Sequence, residues 1–215
     1  RYWSLAWVEN ASHRAPNVVW AVDHCLHQIK AQQTSAQEKA LYFAFLIHLV
    51  GDLYQPLHNE NHFSAYFRPP LGDRGGNNYL IDYQALCHLN QNHKTFSKEI
   101  SNLHQFWDQG AGLFSCIPMR RGWGRYVDHE ARRIDAQFTG KLPPNLVSLI
   151  QHPSAKEASN QAFSEVPTIY QTPFDGHLSK QYMTWAQEIA LKQIYLAGHS
   201  LATWIIQLAT HAKYC

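Results

Sequence analysis

The chain has 215 residues, 45% of them hydrophobic, 13% aromatic and 16% charged, with a formal net charge of +2. That is length and apolar material for one well-cored domain, and short for two. A charge this close to neutral excludes the broad electrostatic footprint of a protein that coats duplex DNA, so any contact with nucleic acid must be local.

In chain order, Asn17–Gln28 (N-V-V-W-A-V-D-H-C-L-H-Q) has the spacing of an amphipathic helix. Thr34 or Ser35 can cap a second helix, which runs to Gln55 and is stopped by Pro56. The longest apolar run, Ala40–Val50, is interrupted by His48 and is too short to span a bilayer. Residues 59–80, with Pro69, Pro70, Gly72, Gly75 and Gly76, read as an ordered loop, and 79–83 as a short strand. Residues 97–109 return to helix. The basic stretch 118–133, with Arg120, Arg121, Arg125, Arg132 and Arg133, reads as a solvated helix face in preference to a phosphate-binding patch. Pro143-Pro144 marks a connection within 140–155. A long helical pattern then covers Ser179–His211, broken or kinked near Gly198, with Met183, Ile189, Ile194, Leu201, Ile205 and Leu208 as core. Strand signals are few and no repeat occurs, so the expected fold is mainly α, one domain over residues 1–215.

Two segments carry chemistry. His48 and Asp52 stand four residues apart, with His58 just past Pro56, and His104 and Asp108 repeat the spacing. On a helix, residues i and i+4 share a face, so each pair can turn an imidazole and a carboxylate to one point, as zinc requires. The ordinary alternative is a hydrogen-bonded core histidine. With 14 His in the chain, chance pairs such as Asp23/His27 also occur. What favours a metal is Asp52 within the apolar run Phe43–Leu53, where a buried carboxylate without a partner would be expensive. The cysteines Cys25, Cys87, Cys116 and Cys215 lack short-range zinc spacing, so the metal is not held by thiolates. Their even number suits one or two disulfides, or four free thiols. The chain begins at Arg1 and not at Met, as a processed product would.

The motifs H-x-x-G-D-x-x-Q-P-L-H (His48–His58), D-x-G-G-N (Asp73–Asn77) and N-L-H-x-x-W-D (Asn102–Asp108), in that order, resemble the S1/P1 nuclease family. The resemblance spans about residues 15–115 well and the remainder more loosely. It implies a helical zinc-hydrolase fold shared with the bacterial zinc phospholipases C. It also implies a secreted or periplasmic, zinc-dependent endonuclease acting on single-stranded DNA or RNA, with 3′-nucleotidase activity. By resemblance, His58, His104 and Asp108 hold one zinc, His48 and Asp52 contribute to a second, and Asp52 bridges to a third, which makes Asp52 the central catalytic residue. Up to three Zn²⁺ are implied, at least one of them expected here, with metal-bound hydroxide as nucleophile. Asn77 would meet a nucleobase, while Gly75 and Gly76 permit close backbone approach. Taken alone, G-G-N is an ordinary turn. Asp73 and Asn78 are weaker candidates for the same pocket. Trp107 is expected to pack behind its helix, and Asn102 and Gln55 to orient ligands.

The family pattern begins with a Trp whose terminal amine binds zinc, followed closely by a ligand His. Here Arg1-Tyr2-Trp3 comes first. Ala6 would occupy the ligand His position, or Glu9 that of a ligand Asp, with His13 a remote substitute. The expectation is a chain lacking the family's N-terminal segment, the alternative a divergent member. A zinc phospholipase C and a weakened, zinc-stabilised binding protein are the competing functions.

Overall fold

The computed structural model describes residues 17–83, 95–97, 100–118 and 123–211. Ala6, Glu9, His13, Cys87, Arg120, Arg121 and Cys215, on which several expectations fall, lie outside them. Helix α1 (Val18–Lys30) opens where the Asn17 side chain accepts the Trp20 N–H, and Lys30 and His27 lie in its last turn, where the helix dipole favours positive charge. Helix α2 (Ala36–Tyr54) opens on a reciprocal capping box, Ser35 with Glu38, so Ser35 and not Thr34 is the cap. Leu46, Val50, Leu53 and Tyr54 line its buried face. Gln55 ends it, and Pro56 begins a 3₁₀ turn, Pro56–Asn59, where a residue without an N–H loses nothing.

Downstream come β1 (Ile81–Asp82), β2 (Thr95–Ser97), α3 (Leu103–Asp108), β3 (Cys116–Pro118), α4 (Trp123–Phe138), α5 (Pro144–Gln151), α6 (Ala155–Phe163), α7 (Val166–Ile169), β4 (Gly176–His177) and α8 (Lys180–His211). Strand β1 pairs with β4 in parallel, Ile81 opposite Gly176, and β2 with β3 antiparallel, Phe96 opposite Ile117. The mainly α expectation therefore holds among the described residues. No helix among them is long and apolar enough to cross a membrane.

The residues divide into two compact units. Of the described residues, one takes those up to Glu60, Leu142–Val166 and those from Leu196 to His211; the other takes those within Asn61–Lys141 and Pro167–Tyr195. In the first, α2 packs on α1 and α6, and the buried Tyr54 and Ser200 hydroxyls share a 2.6 Å hydrogen bond. In the second, Tyr79 is buried against Phe67, Tyr170 and Phe174.

Four expectations need correction. The helix anticipated over 97–109 starts only at Leu103, because the residues before it run extended: Ser101 takes the Ile81 N–H, Leu80 bridges Asn102, and Leu103 gives its N–H to Tyr79. Pro144 opens helix α5 instead of lying in a connection, since its fixed φ suits a first helical turn. Helix α8 passes Gly198 unbroken. Its buried line includes Ala186, Ile189, Gln193, Leu196, Ser200, Trp204 and Leu208, whereas Ile194 is exposed and Met183, Leu201 and Ile205 are half-buried. On α4, Ile134 and Phe138 are buried, and Arg132 and Arg133 pair with Asp128 and Glu130 at 2.8 Å, as a solvated face would.

Candidate metal centre

The first unit brings three of the five predicted donors together. Asp52 lies in the last turns of α2, one helical turn after His48, and its Oδ2 is 3.3 Å from His48 Nε2. Its Oδ1 is 3.8 Å from His58 Nδ1. Each carboxylate oxygen thus faces a different imidazole. His58 is carried by the 3₁₀ turn, which is tied from both ends. Gln55 Oε1 accepts the Leu57 N–H, and Asn59 Nδ2 donates to the Leu53 and Gln55 carbonyls at 2.9 and 3.0 Å. Ser159 in turn donates to Asn59 Oδ1 at 2.6 Å.

The burial argument for Asp52 does not survive. The apolar run around it is not enclosed on all sides: Leu41, Phe45 and Ile47 are exposed, and the His48 side chain is 74% and Asp52 28% accessible. The pair sits at the rim of the helix, where water and ions reach it. Convergence of donors, not the cost of a buried charge, marks the site.

The second unit holds the other pair. His104 Nε2 is 3.5 Å from Asp108 Oδ2 on the short helix α3. On the ring's far side, Nδ1 is 2.7 Å from the Gly75 carbonyl. A carbonyl can only accept, so Nδ1 carries the proton and Nε2 keeps its lone pair for a metal. Gly75 and Gly76 reach this position with φ of 63° and 82°, in the left-handed region that favours glycine. The Gly76 carbonyl also accepts the His104 N–H at 3.3 Å.

Asp73 builds this loop and does not line a pocket. It is fully buried and accepts from the His62 N–H (2.9 Å), the Gly76 N–H (2.9 Å) and the Tyr170 hydroxyl (2.6 Å). Burial pushes its carboxyl above the ordinary aspartate range, and these hydrogen bonds pull in the other direction. Asn78, the other weaker candidate, is exposed and gives its N–H to the Asp73 carbonyl. Asn77 is also exposed and spends one amide hydrogen on the Arg74 carbonyl at 2.9 Å, which leaves Oδ1 and the second hydrogen available.

Trp107 is buried behind α3, donating to the Tyr182 hydroxyl at 3.3 Å, as expected. Asn102 caps α3 by accepting the Gln105 N–H, and Gln55 caps the 3₁₀ turn, so each fixes the backbone that bears a candidate ligand, His104 or His58. Tyr170 and Ser159 carry no signal in sequence. They stand 97 and 100 residues from the side chains they hold. Cys25 is a buried free thiol, and burial raises its pKa.

The donor chemistry suits zinc. Imidazole nitrogens and carboxylate oxygens dominate, two histidines are paired with carboxylates one helical turn away, and one of them has its tautomer set by a carbonyl. No curated protein matches the chain. The S1/P1 Nuclease family model, however, matches residues 6–210, nearly the whole length. The chain therefore belongs to the S1/P1 nuclease family of nuclease-type hydrolases.

Proposed function

We propose that the chain is a zinc-dependent endonuclease that hydrolyses phosphodiester bonds of single-stranded DNA or RNA and removes 3′-phosphates from nucleotides. The observation that carries this reading is Asp52 set between His48 and His58, in a chain of this family. By the family resemblance we assign His58, His104 and Asp108 to one ion. We assign His48 and Asp52 to a second, with the remaining Asp52 oxygen available to a third. Bound zinc supplies Lewis acidity and a lowered pKa for water at the site.

The chain's own residues do the rest. The Gly75 carbonyl engages His104 Nδ1 and so keeps Nε2 on the Asp108 side of the ring. The tied 3₁₀ turn keeps His58 beside Asp52. Asn77 offers an acceptor and a donor to a base edge, which suits an unpaired strand whose edges are open. Export from the cytoplasm belongs to the same proposal, supported by the family resemblance.

Elemental analysis combined with hydrolysis assays on single-stranded DNA, RNA, 3′-AMP and phosphatidylcholine tests this reading. Zinc bound in near-integral amounts, with cleavage of the first three substrates, is the expected result. Cleavage of phosphatidylcholine alone would make the chain a phospholipase. Bound zinc with no hydrolysis would make it a binding protein.

A further inference from the structure

The loop that positions His104 also carries aromatic and basic groups that the metal chemistry does not use. Tyr66 is 84% exposed. Isolated exposed aromatics are common and need no function, but this one is held rigidly. Ser64 Oγ accepts the N–H groups of Tyr66 and Phe67, both at 3.2 Å, which fixes the turn. The Tyr66 ring stacks on Phe174, centroids 6.1 Å apart and planes at 24°. Phe174 is itself seated edge-on against Phe67 and Tyr79, at 5.4 and 5.3 Å. The Asp175 N–H, bonded to the Leu80 carbonyl at 2.9 Å, pins the adjoining backbone.

Arg74 supplies a second, independent observation. It is exposed and has φ of 59°, a left-handed conformation that an L side chain adopts at a cost and that glycine or asparagine would fill more easily. The backbone is locked there: Arg74 N–H donates to Asn61 Oδ1 at 2.8 Å, and its carbonyl accepts from Asn77. Arg74 immediately precedes Gly75, whose carbonyl holds His104. Arg68, also exposed, lies on the same loop and uses Nε on the Ala65 carbonyl at 3.4 Å, leaving its terminal nitrogens. A backbone-tethered, exposed aromatic on the same loop as exposed guanidinium groups is the pattern that binds single strands, bases on the ring and phosphates on the cations.

We infer that the Tyr66–Phe174 stack, with Arg74, is a subsite for single-stranded nucleic acid, Tyr66 taking the face of an unpaired base and Arg74 a backbone phosphate. This deepens the nuclease reading and rests on it. The test is binding of labelled oligo-dA, and of an abasic strand of equal length, to the full chain in EDTA, where nothing is cleaved. Tyr66→Ala is expected to weaken oligo-dA binding by roughly tenfold to a hundredfold and leave the abasic strand unaffected, while Tyr66→Phe binds as the parent does. Arg74→Gln should weaken both strands and flatten the log–log salt slope by about 0.7. Equal binding by Tyr66→Ala and the parent, or an equal loss on the abasic strand, overturns the subsite. Preference for phosphatidylcholine vesicles over oligo-dA, lost in Tyr66→Ala, overturns it in favour of a lipid surface. Hydrolysis of oligo-dA by the zinc-loaded parent is followed in parallel. Cleavage without any Tyr66 effect on binding removes the subsite and keeps the nuclease. Tyr66-dependent binding without cleavage keeps the subsite and removes the nuclease.

Discussion

Asp73→Ala addresses the least obvious support of the candidate metal centre. The carboxylate is fully buried and accepts three hydrogen bonds, two from backbone N–H groups and one from Tyr170. Truncation strands all three donors, each at about 1–3 kcal/mol. Part of that loss is offset, because a carboxylate whose pKa is raised by burial no longer has to be desolvated. The net destabilisation should be about 3–5 kcal/mol, the usual range for removing one side of a buried charged network. At about 2–4 °C per kcal/mol for a chain of this size, the affected transition should fall by roughly 6–20 °C. Calorimetry reads that shift, and hydrogen exchange at the Gly76 amide localises it. Loosening Gly76 also loosens the neighbouring Gly75 carbonyl that sets the His104 tautomer, so zinc affinity should drop by about 10–100-fold. Tyr170→Phe, which removes one donor and leaves two, should cost about 1–2 kcal/mol. If Asp73→Ala melts within about 1 °C of the parent and binds zinc equally, the loop is not held as argued.

Asp52→Asn should reduce zinc stoichiometry by more than one ion and abolish most hydrolysis, whereas His104→Ala should remove mainly one ion; elemental analysis of both variants decides between shared and separate sites. Gly198→Ala should stabilise α8 by up to about 1 kcal/mol, read as a rise of about 2–4 °C, because the helix is continuous there and an added Cβ meets nothing. The pH dependence follows from Asp73. Its folded-state pKa lies above the unfolded value, so the native state binds the proton more tightly, and this stabilising term is present at low pH and lost as pH rises through the folded pKa. Stability of the parent relative to Asp73→Ala should therefore increase on acidification from neutral pH toward the ordinary aspartate range. A difference that shrinks would show the sign to be wrong.

Local chemistry made much of this protein legible before any coordinates. A helix start at Thr34 or Ser35, the stop at Pro56 and the four-residue spacing of His48/Asp52 and His104/Asp108 act within one or two helical turns, so sequence alone states them. The three ordered motifs pointed to the family that the match over residues 6–210 then showed. Tertiary structure decided what depended on partners far along the chain. The extended path before Leu103 exists because residues 79–81 pair with it. The exposure of His48 depends on which face of α2 meets a neighbour, and an apolar run with no polar side does not reveal that. Asp73 turned from a pocket candidate into an anchor because Tyr170 lies 97 residues away. Gly198 did not break α8 because buried side chains on both sides of it, Leu196 and Trp204 among them, hold the helix and outweigh one glycine's intrinsic cost of about 1 kcal/mol. Spacing reports which groups share a local face, and only packing reports what that face meets.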